Sequence, residues 1–248
     1  MLDRVLSIFT ILSLYTFGNT DNKIALLTFD DGPIISTKNI IEVVREEDIP
    51  VTMFFVGCQI EVFQNIYKDA ISYPNILIAN HTYSHANNKY RKFYSNPTLV
   101  VEDIKKANEI VGLDNVSNTS SLYLPVRLAG RNVFRLPTIT KNDNMIDEVQ
   151  REKEIVGYDD IYKEGYYIYG WDIEWASEKD GKPILTPQEI YNDMEKIYQK
   201  KLSSKENKVV LLMHDFMFSN NFDGKENLRT LIQLLKNGGW SFENIENY

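Results

Sequence analysis

The chain has 248 residues, enough for one α/β barrel or two small domains. With 43% hydrophobic and 25% charged residues it has the make-up of a soluble globular protein, and a formal charge of −8 excludes a broad nucleic-acid surface, which needs clustered Lys and Arg. The single cysteine, Cys58, lies in an apolar stretch where a buried inert thiol is expected, and it excludes an internal disulfide and any multi-cysteine metal site.

Residues 1–20 stand apart. A short charged start precedes an apolar run from Val5 to Phe17, and small residues follow at Gly18 and Asn19. This reads as a signal peptide directing export to the periplasm, cell envelope or medium, although a buried N-terminal helix would carry the same pattern. The run is too short for a stable membrane span. Residues 21–248 read as a single domain, since no repeat, low-complexity stretch or Pro/Gly/Ser linker divides them.

Along that domain, Ile24 to Phe29 is expected as a buried strand and Thr37 to Glu47 as a helix. Strands follow at Val51 to Val56 and Ile76 to Ala79, then a helix at Thr98 to Val111. Leu122 to Val126 reads as extended, and Tyr166 to Trp171 as a further strand. Thr186-Pro187-Gln188-Glu189 has the N-cap, N1 proline and N3 glutamate of a helix start. A strand at Lys208 to Met213 precedes a last helix at Lys225 to Lys236, which Gly238-Gly239 would stop. Strand–helix alternation over one uninterrupted chain predicts parallel βα units, as a barrel or an open sheet.

Reactive side chains cluster just past the strand ends, the edge where βα folds assemble their sites. Asp30 and Asp31 open an Asp-Asp-Gly-Pro turn, in which one carboxylate can ligate a metal while its neighbour serves as a base; a solvated turn carries the same residues. His81 and His85, four apart and expected on a helical turn, would present two imidazoles on one face to a tetrahedral cation. The third and last histidine, His214, follows the strand that ends at Met213. Every histidine of the chain thus lies beyond a predicted strand end.

TFDDGP, HTYSH and LLMHD, in this order, resemble the first, second and fifth motifs of the polysaccharide deacetylase (NodB-homology) family, of carbohydrate esterase family 4 type. The likeness runs from about Lys23 to the closing Gly238-Gly-Trp-Ser-Phe. It implies a distorted (β/α) barrel with fewer than eight strands, of the glycoside hydrolase–deacetylase type. It also implies Asp30 as catalytic base, Asp31, His81 and His85 as metal ligands, and His214 as catalytic acid. The family's third motif has two registers here, at Arg127-Leu-Ala-Gly130 and at Arg135-Leu-Pro-Thr138, and Arg127 is favoured because it leaves the strand directly. Gly130 or Thr138 would then give a backbone N–H near the substrate. The fourth motif resembles Trp171-Asp172-Ile-Glu174-Trp175, where Asp172 or Glu174 would hold the arginine and Trp171 and Trp175 would line the acetyl pocket or pack in the core.

The resemblance therefore implies a metal-dependent hydrolase that removes acetyl groups from N-acetylated sugars of a polysaccharide, with Zn2+ as cofactor and Co2+ or Ni2+ as alternatives. Two further readings share the fold: action on an O-acetyl ester or small amide, and non-catalytic carbohydrate binding. No G-x-S-x-G elbow points to a Ser-His-Asp hydrolase.

Overall fold

The computed structural model describes residues 22–112 and 125–248. At its centre is β1, Lys23–Gly32, buried from Ile24 to Asp30. Such a continuous apolar run suits a strand covered on both faces. It pairs in parallel with β2, Val51–Phe55, and with β7, Lys208–His214. β3, Ile76–Asn80, extends the sheet beyond β2, and the two-residue β6, Ile173–Glu174, extends it beyond β7. The order is β3-β2-β1-β7-β6, and β8, Trp240–Phe242, lies beside the start of β1.

The edges of this sheet approach each other through single bridges rather than full ladders. Asn80 at the end of β3 bridges Val126, and Val126 bridges Ile168. The segment carrying Ile168 then becomes β6 and joins β7. This is the distorted α/β barrel arrangement. The extended run expected at Leu122 to Val126 is reduced to a single bridge at Val126, and residues 122–124 lie outside those described. The strand expected at Tyr166 to Trp171 is likewise reduced to Ile168, because the segment passes from Val126 to β7 within six residues. The leader expected at residues 1–20 also lies outside the described residues.

Strand alternation sorts the core into two layers. On β1, Ala25, Leu27 and Phe29 face the outer helices, as do Val209, Leu211 and Met213 on β7. That layer packs against α1, Thr37–Glu47, and α8, Gly224–Asn237, through Ile40, Val44, Leu228 and Ile232. The intervening residues, Ile24 and Leu26 of β1, Phe54 of β2, Leu77 and Ala79 of β3 and Val210 of β7, fill the interior. Three of the interior rows end in a chemically competent residue: Asp30 on β1, His81 one step past β3, and His214 on β7. The site is thus the mouth end of the interior rows.

Several elements were not anticipated. A hairpin forms from β4, Phe134–Leu136, and β5, Ile139–Lys141. Short helices α2, Gly57–Val62, α3, Gln64–Ile71, and α4, Tyr90–Tyr94, fill the early connections, before α5, Pro97–Val111. The mixed-charge insert expected from Lys141 to Gly165 contains α6, Glu148–Lys163. The helix predicted from the Thr186 capping box is α7, Pro187–Gln199, with both reciprocal hydrogen bonds of the box formed. Among the described residues, no helix is long and apolar enough to cross a membrane.

Candidate active site

A cleft of about 520 Å³ opens at the C-terminal ends of the central strands, lined among others by Asp30, Asp31, His81, His85, Trp171, Glu174 and His214. In regular strand geometry Asp30 and Asp31 would point to opposite faces. A bulge prevents this. The register with β2 jumps from Asp30–Phe54 to Gly32–Phe55, which leaves Asp31 as the extra residue, with φ of 71°. The bulge re-aims its side chain, so both carboxylates reach the cleft.

His81 and His85 do meet, with ring centroids 5.2 Å apart, but not on the helical turn expected from their spacing. Thr82 has φ of 64° and His85 of 49°, and residues 86–88 stay in the left-handed region. Such backbone costs about 1–3 kcal/mol per residue and persists only where its surroundings fix it. Here Asn80 Oδ1 accepts the Thr82 N–H at 2.7 Å. Asp103 Oδ2, on α5, accepts the N–H groups of Tyr83 and Ser84 at 2.9 Å each. Asn80 and Asp103 are site supports that the sequence reading missed; an Asp one helix away offers no local signal.

Asp31 Oδ1 lies 3.0 Å from His85 Nε2 and 3.3 Å from His81 Nε2. One donor atom from each of the three falls within 4.8 Å of the others. Two tetrahedral bonds of about 2.0–2.1 Å place their donors about 3.3 Å apart, so these spacings suit a zinc-sized cation. Asp31 Oδ1 is also buried with no properly directed hydrogen bond. His81 Nδ1 is 2.9 Å from the Arg127 carbonyl, which can only accept, so Nδ1 carries the proton and Nε2 turns its lone pair to the cluster. The residues therefore fit a divalent transition cation. Burial opposes ionisation of Asp31, but the two imidazoles outweigh it and hold the carboxyl far below the usual range. Burial likewise opposes charge on His81, and Asp30 and Asp31 together draw its pKa upward.

Behind this cluster, Arg127 is fully buried. Its Nη1 donates to Asp30 Oδ1 at 2.9 Å and to Thr28 Oγ1 at 2.7 Å, and its Nη2 and Nε donate to the carbonyls of Gly170 and Tyr169. Asp30 Oδ2 is left 3.7 Å from His81 Nε2, beside the cluster.

A family model described as polysaccharide deacetylase matches residues 17–151, more than half of the chain. The chain belongs to the polysaccharide deacetylase family. It is a hydrolase of that class, and its relatives carry the same names. Chitin disaccharide deacetylase of Vibrio alginolyticus is 24% identical, with 96% of this chain and 74% of that protein covered. Peptidoglycan-N-acetylglucosamine deacetylase of Bacillus cereus is 32% identical over 45% of this chain and 37% of its own length. Among solved structures, the catalytic domain of peptidoglycan N-acetylglucosamine deacetylase from Eubacterium rectale superposes with a TM-score of 0.64 at 21% identity, covering 92% of this chain and 90% of that one.

In this deacetylase the remaining candidates divide sharply. Trp171, Gly130, Glu174 and His214 line the cleft. Arg135 does not reach it: its guanidinium binds Asp159 at 2.7 Å and Asn142 Oδ1 at 2.7 Å, tying the β4–β5 hairpin to α6. Asp172 also faces elsewhere, accepting from the backbone N–H groups of Val210 and Ser204 and from the Tyr248 hydroxyl. Neither Asp172 nor Glu174 hydrogen-bonds Arg127, whose backbone partners are carbonyls; Asp172 acts on the arginine only through its charge. Trp175 is fully buried, with its indole N–H on the Leu185 carbonyl and its ring edge-on to Phe218, and belongs to the core. His214 stacks on the Phe216 ring at 5.3 Å and has no carboxylate partner among the described residues, contrary to the pairing expected.

Two further cleft residues, Asn132 and Asp143, lay in no recognisable motif. Asn132 clamps the Trp171 backbone, with Nδ2 donating to its carbonyl and Oδ1 accepting its N–H, both at 3.0 Å. Asp143 accepts the N–H groups of Asn132 and Met145, which ties the exposed Met145 to the cleft wall. One buried carboxyl, Asp215, lies behind Gly32 and accepts from the Thr37 hydroxyl. Burial, reinforced by Asp31 and Asp30, pushes its pKa up to about 8.

Proposed function

We propose that the cleft hydrolyses the acetamido group of an N-acetylated sugar within a glycan such as peptidoglycan, a chitin-like polymer or an exopolysaccharide. The observation that carries this reading is the adjacency of two unlike groups: an ion-binding cluster of Asp31, His81 and His85, and a buried carboxylate, Asp30, fixed beside it by Arg127.

A divalent transition cation held by Asp31, His81 and His85 would supply Lewis-acid chemistry, polarising a carbonyl and lowering the pKa of a water toward about 7. Zinc suits the ligand types best, with cobalt or nickel as substitutes. The protein's own groups complete the reaction. Asp30 accepts the proton of the attacking water, and Arg127 holds its other oxygen so that the acceptor stays aimed. The Gly130 N–H, which donates to no acceptor among the described residues, stabilises the oxyanion. His214, protonated, delivers a proton to nitrogen as the carbon–nitrogen bond breaks, so that acetate and a free sugar amine leave. Trp171 packs beside the acetyl group or a sugar face.

Ester hydrolysis uses the same groups but demands less of His214, because an alkoxide leaves more readily than an unprotonated amide nitrogen. Acetate release from chitin oligomers, peptidoglycan and acetylated xylan discriminates the readings. Release from the first two supports the amide reading. Release from xylan alone replaces it with the esterase, and release from none leaves carbohydrate binding. Export through the N-terminal leader belongs to this proposal, and the N-terminal residue of the secreted protein tests it.

A further inference from the structure

The Gly130 N–H belongs to the same peptide unit as the Ala129 carbonyl. In a trans unit these two groups point in opposite directions, and the only cis bond among the described residues is Gly32–Pro33. Whatever grips the Ala129 carbonyl therefore aims the Gly130 N–H. That grip is the Tyr94 hydroxyl, which donates to the Ala129 oxygen at 2.8 Å from a fully buried position on α4. Ala129 is buried while Gly130 opens onto the cleft, so the N–H faces the site.

The next peptide is held as well. Arg131 Nη1 donates to the Gly130 carbonyl at 2.9 Å. Its Nε and Nη2 form a two-pronged pair with Glu154 Oε2 and Oε1 at 2.7 and 2.8 Å. Glu154 has no solvent exposure and also accepts from Gln150 Nε2 at 2.6 Å and from the Tyr158 hydroxyl. The Arg131 guanidinium lies 4.8 Å over the Tyr94 ring and 5.8 Å from that of Tyr90, whose ring stands edge-on to His85 at 5.9 Å. Burying an ion pair costs several kcal/mol of desolvation per charge, and apolar replacements often stabilise a fold as well or better. A buried pair whose free arm fixes one cleft peptide therefore points to a demand for geometry.

We propose that Tyr94, with the Arg131–Glu154 pair, is a positioning device: it locks the two peptides flanking Gly130 so that the Gly130 N–H is pre-aimed at the oxygen of the scissile group. The insert helix α6 thereby becomes part of the active-site frame. This rests on the deacetylase reading for the identity of the oxygen, but the aiming itself can be observed without turnover.

The test is Tyr94→Phe, which keeps the ring and removes only the hydroxyl, with Glu154→Gln as a second variant that keeps the volume. Sodium acetate is titrated into the zinc-loaded full chain while the Gly130 amide is followed by proton–nitrogen NMR. In the wild type that amide shifts as acetate saturates. In Tyr94→Phe its shift shrinks and the acetate Kd rises about 5-fold or more, while zinc stoichiometry is retained. On a chitin pentamer, kcat falls about 10-fold with KM little changed, as expected when a donor that is worth 10²–10³ in rate is misaimed rather than removed. Glu154→Gln moves both readouts in the same direction by less. A purely structural role lowers only the melting temperature. A Gly130 amide indifferent to acetate in the wild type, or an unchanged acetate Kd in Tyr94→Phe, overturns the proposal. Absence of acetate release by a wild type whose Gly130 amide does respond would instead overturn the deacetylase reading and leave the aiming device standing.

Discussion

At the scale of single residues, Asp30 and Asp31 are neighbours in sequence with different tasks set by their surroundings. Arg127 engages Asp30 and two imidazoles engage Asp31. Asp30→Asn keeps the cluster, so zinc content measured by elemental analysis should stay at one per chain while acetate release falls by about 10²–10⁴, the usual span for a general base. His85→Ala should lose both zinc and turnover. Asp215 gives a pH signature of its own. Its pKa is about 8 in the folded chain against an ordinary value of 3.8, so between these values the folded state holds a proton that the unfolded state has released. The stability it contributes is therefore full below about pH 4 and is lost as the pH rises toward 8. Asp31 acts with the opposite sign: its carboxyl is held low, so its contribution is present above the ordinary carboxylate pKa and disappears on acidification below it. In metal-free protein, the difference in melting temperature between wild type and Asp215→Asn should hence change across pH 4–8 in favour of the variant as the pH rises. A pH-independent difference would contradict the protonated state of Asp215.

At the scale of elements, the site depends on two departures from regular structure. The β1 bulge leaves Gly32 pressed against its neighbours: a Cβ there would collide with Asp215 Oδ2 and come within 2.6 Å of the Phe55 ring. Gly32→Ala should cost about 1–3 kcal/mol in denaturant unfolding, the usual range for overpacking. The left-handed run after β3 leans on Asp103 of α5, so Asp103→Ala should weaken zinc binding about 10–100-fold in a chelator competition, as loss of an outer support does elsewhere. These departures explain what the sequence could reveal. Strong apolar runs announced β1, β2, β3 and β7, and the capping box announced α7, because each is a local signal. The hidden helix α6 buries Gln150, Glu154 and Gly157 beside Tyr158 and Ile161 on its inner face, so hydrophobic periodicity had little to register. The histidine spacing suggested the correct pair through the wrong backbone. Arg127 was favoured over Arg135 because it emerges directly from a strand. The hydrogen bond expected from Asp172 to the arginine does not form and, of the two roles open to Trp175, the core one holds, since a two-residue strand does not fix side-chain direction in advance.

At the scale of the whole molecule, the interior rows of the barrel converge on one mouth, and the insert between the β4–β5 hairpin and Ile168 braces that mouth from outside. Cation binding to the folded state alone should stabilise the entire domain by mass action, by about 4 kcal/mol when free zinc exceeds its Kd 1,000-fold. The measurement that bears most directly on the account is a zinc titration of chelator-treated protein, with acetate release from N-acetylglucosamine oligomers followed at each addition. Activity should rise in proportion to bound zinc and level off at one ion per chain. Acetate release that is already complete in zinc-free protein, or that stays absent once Asp31, His81 and His85 are saturated, would contradict a hydrolytic site built on those three side chains.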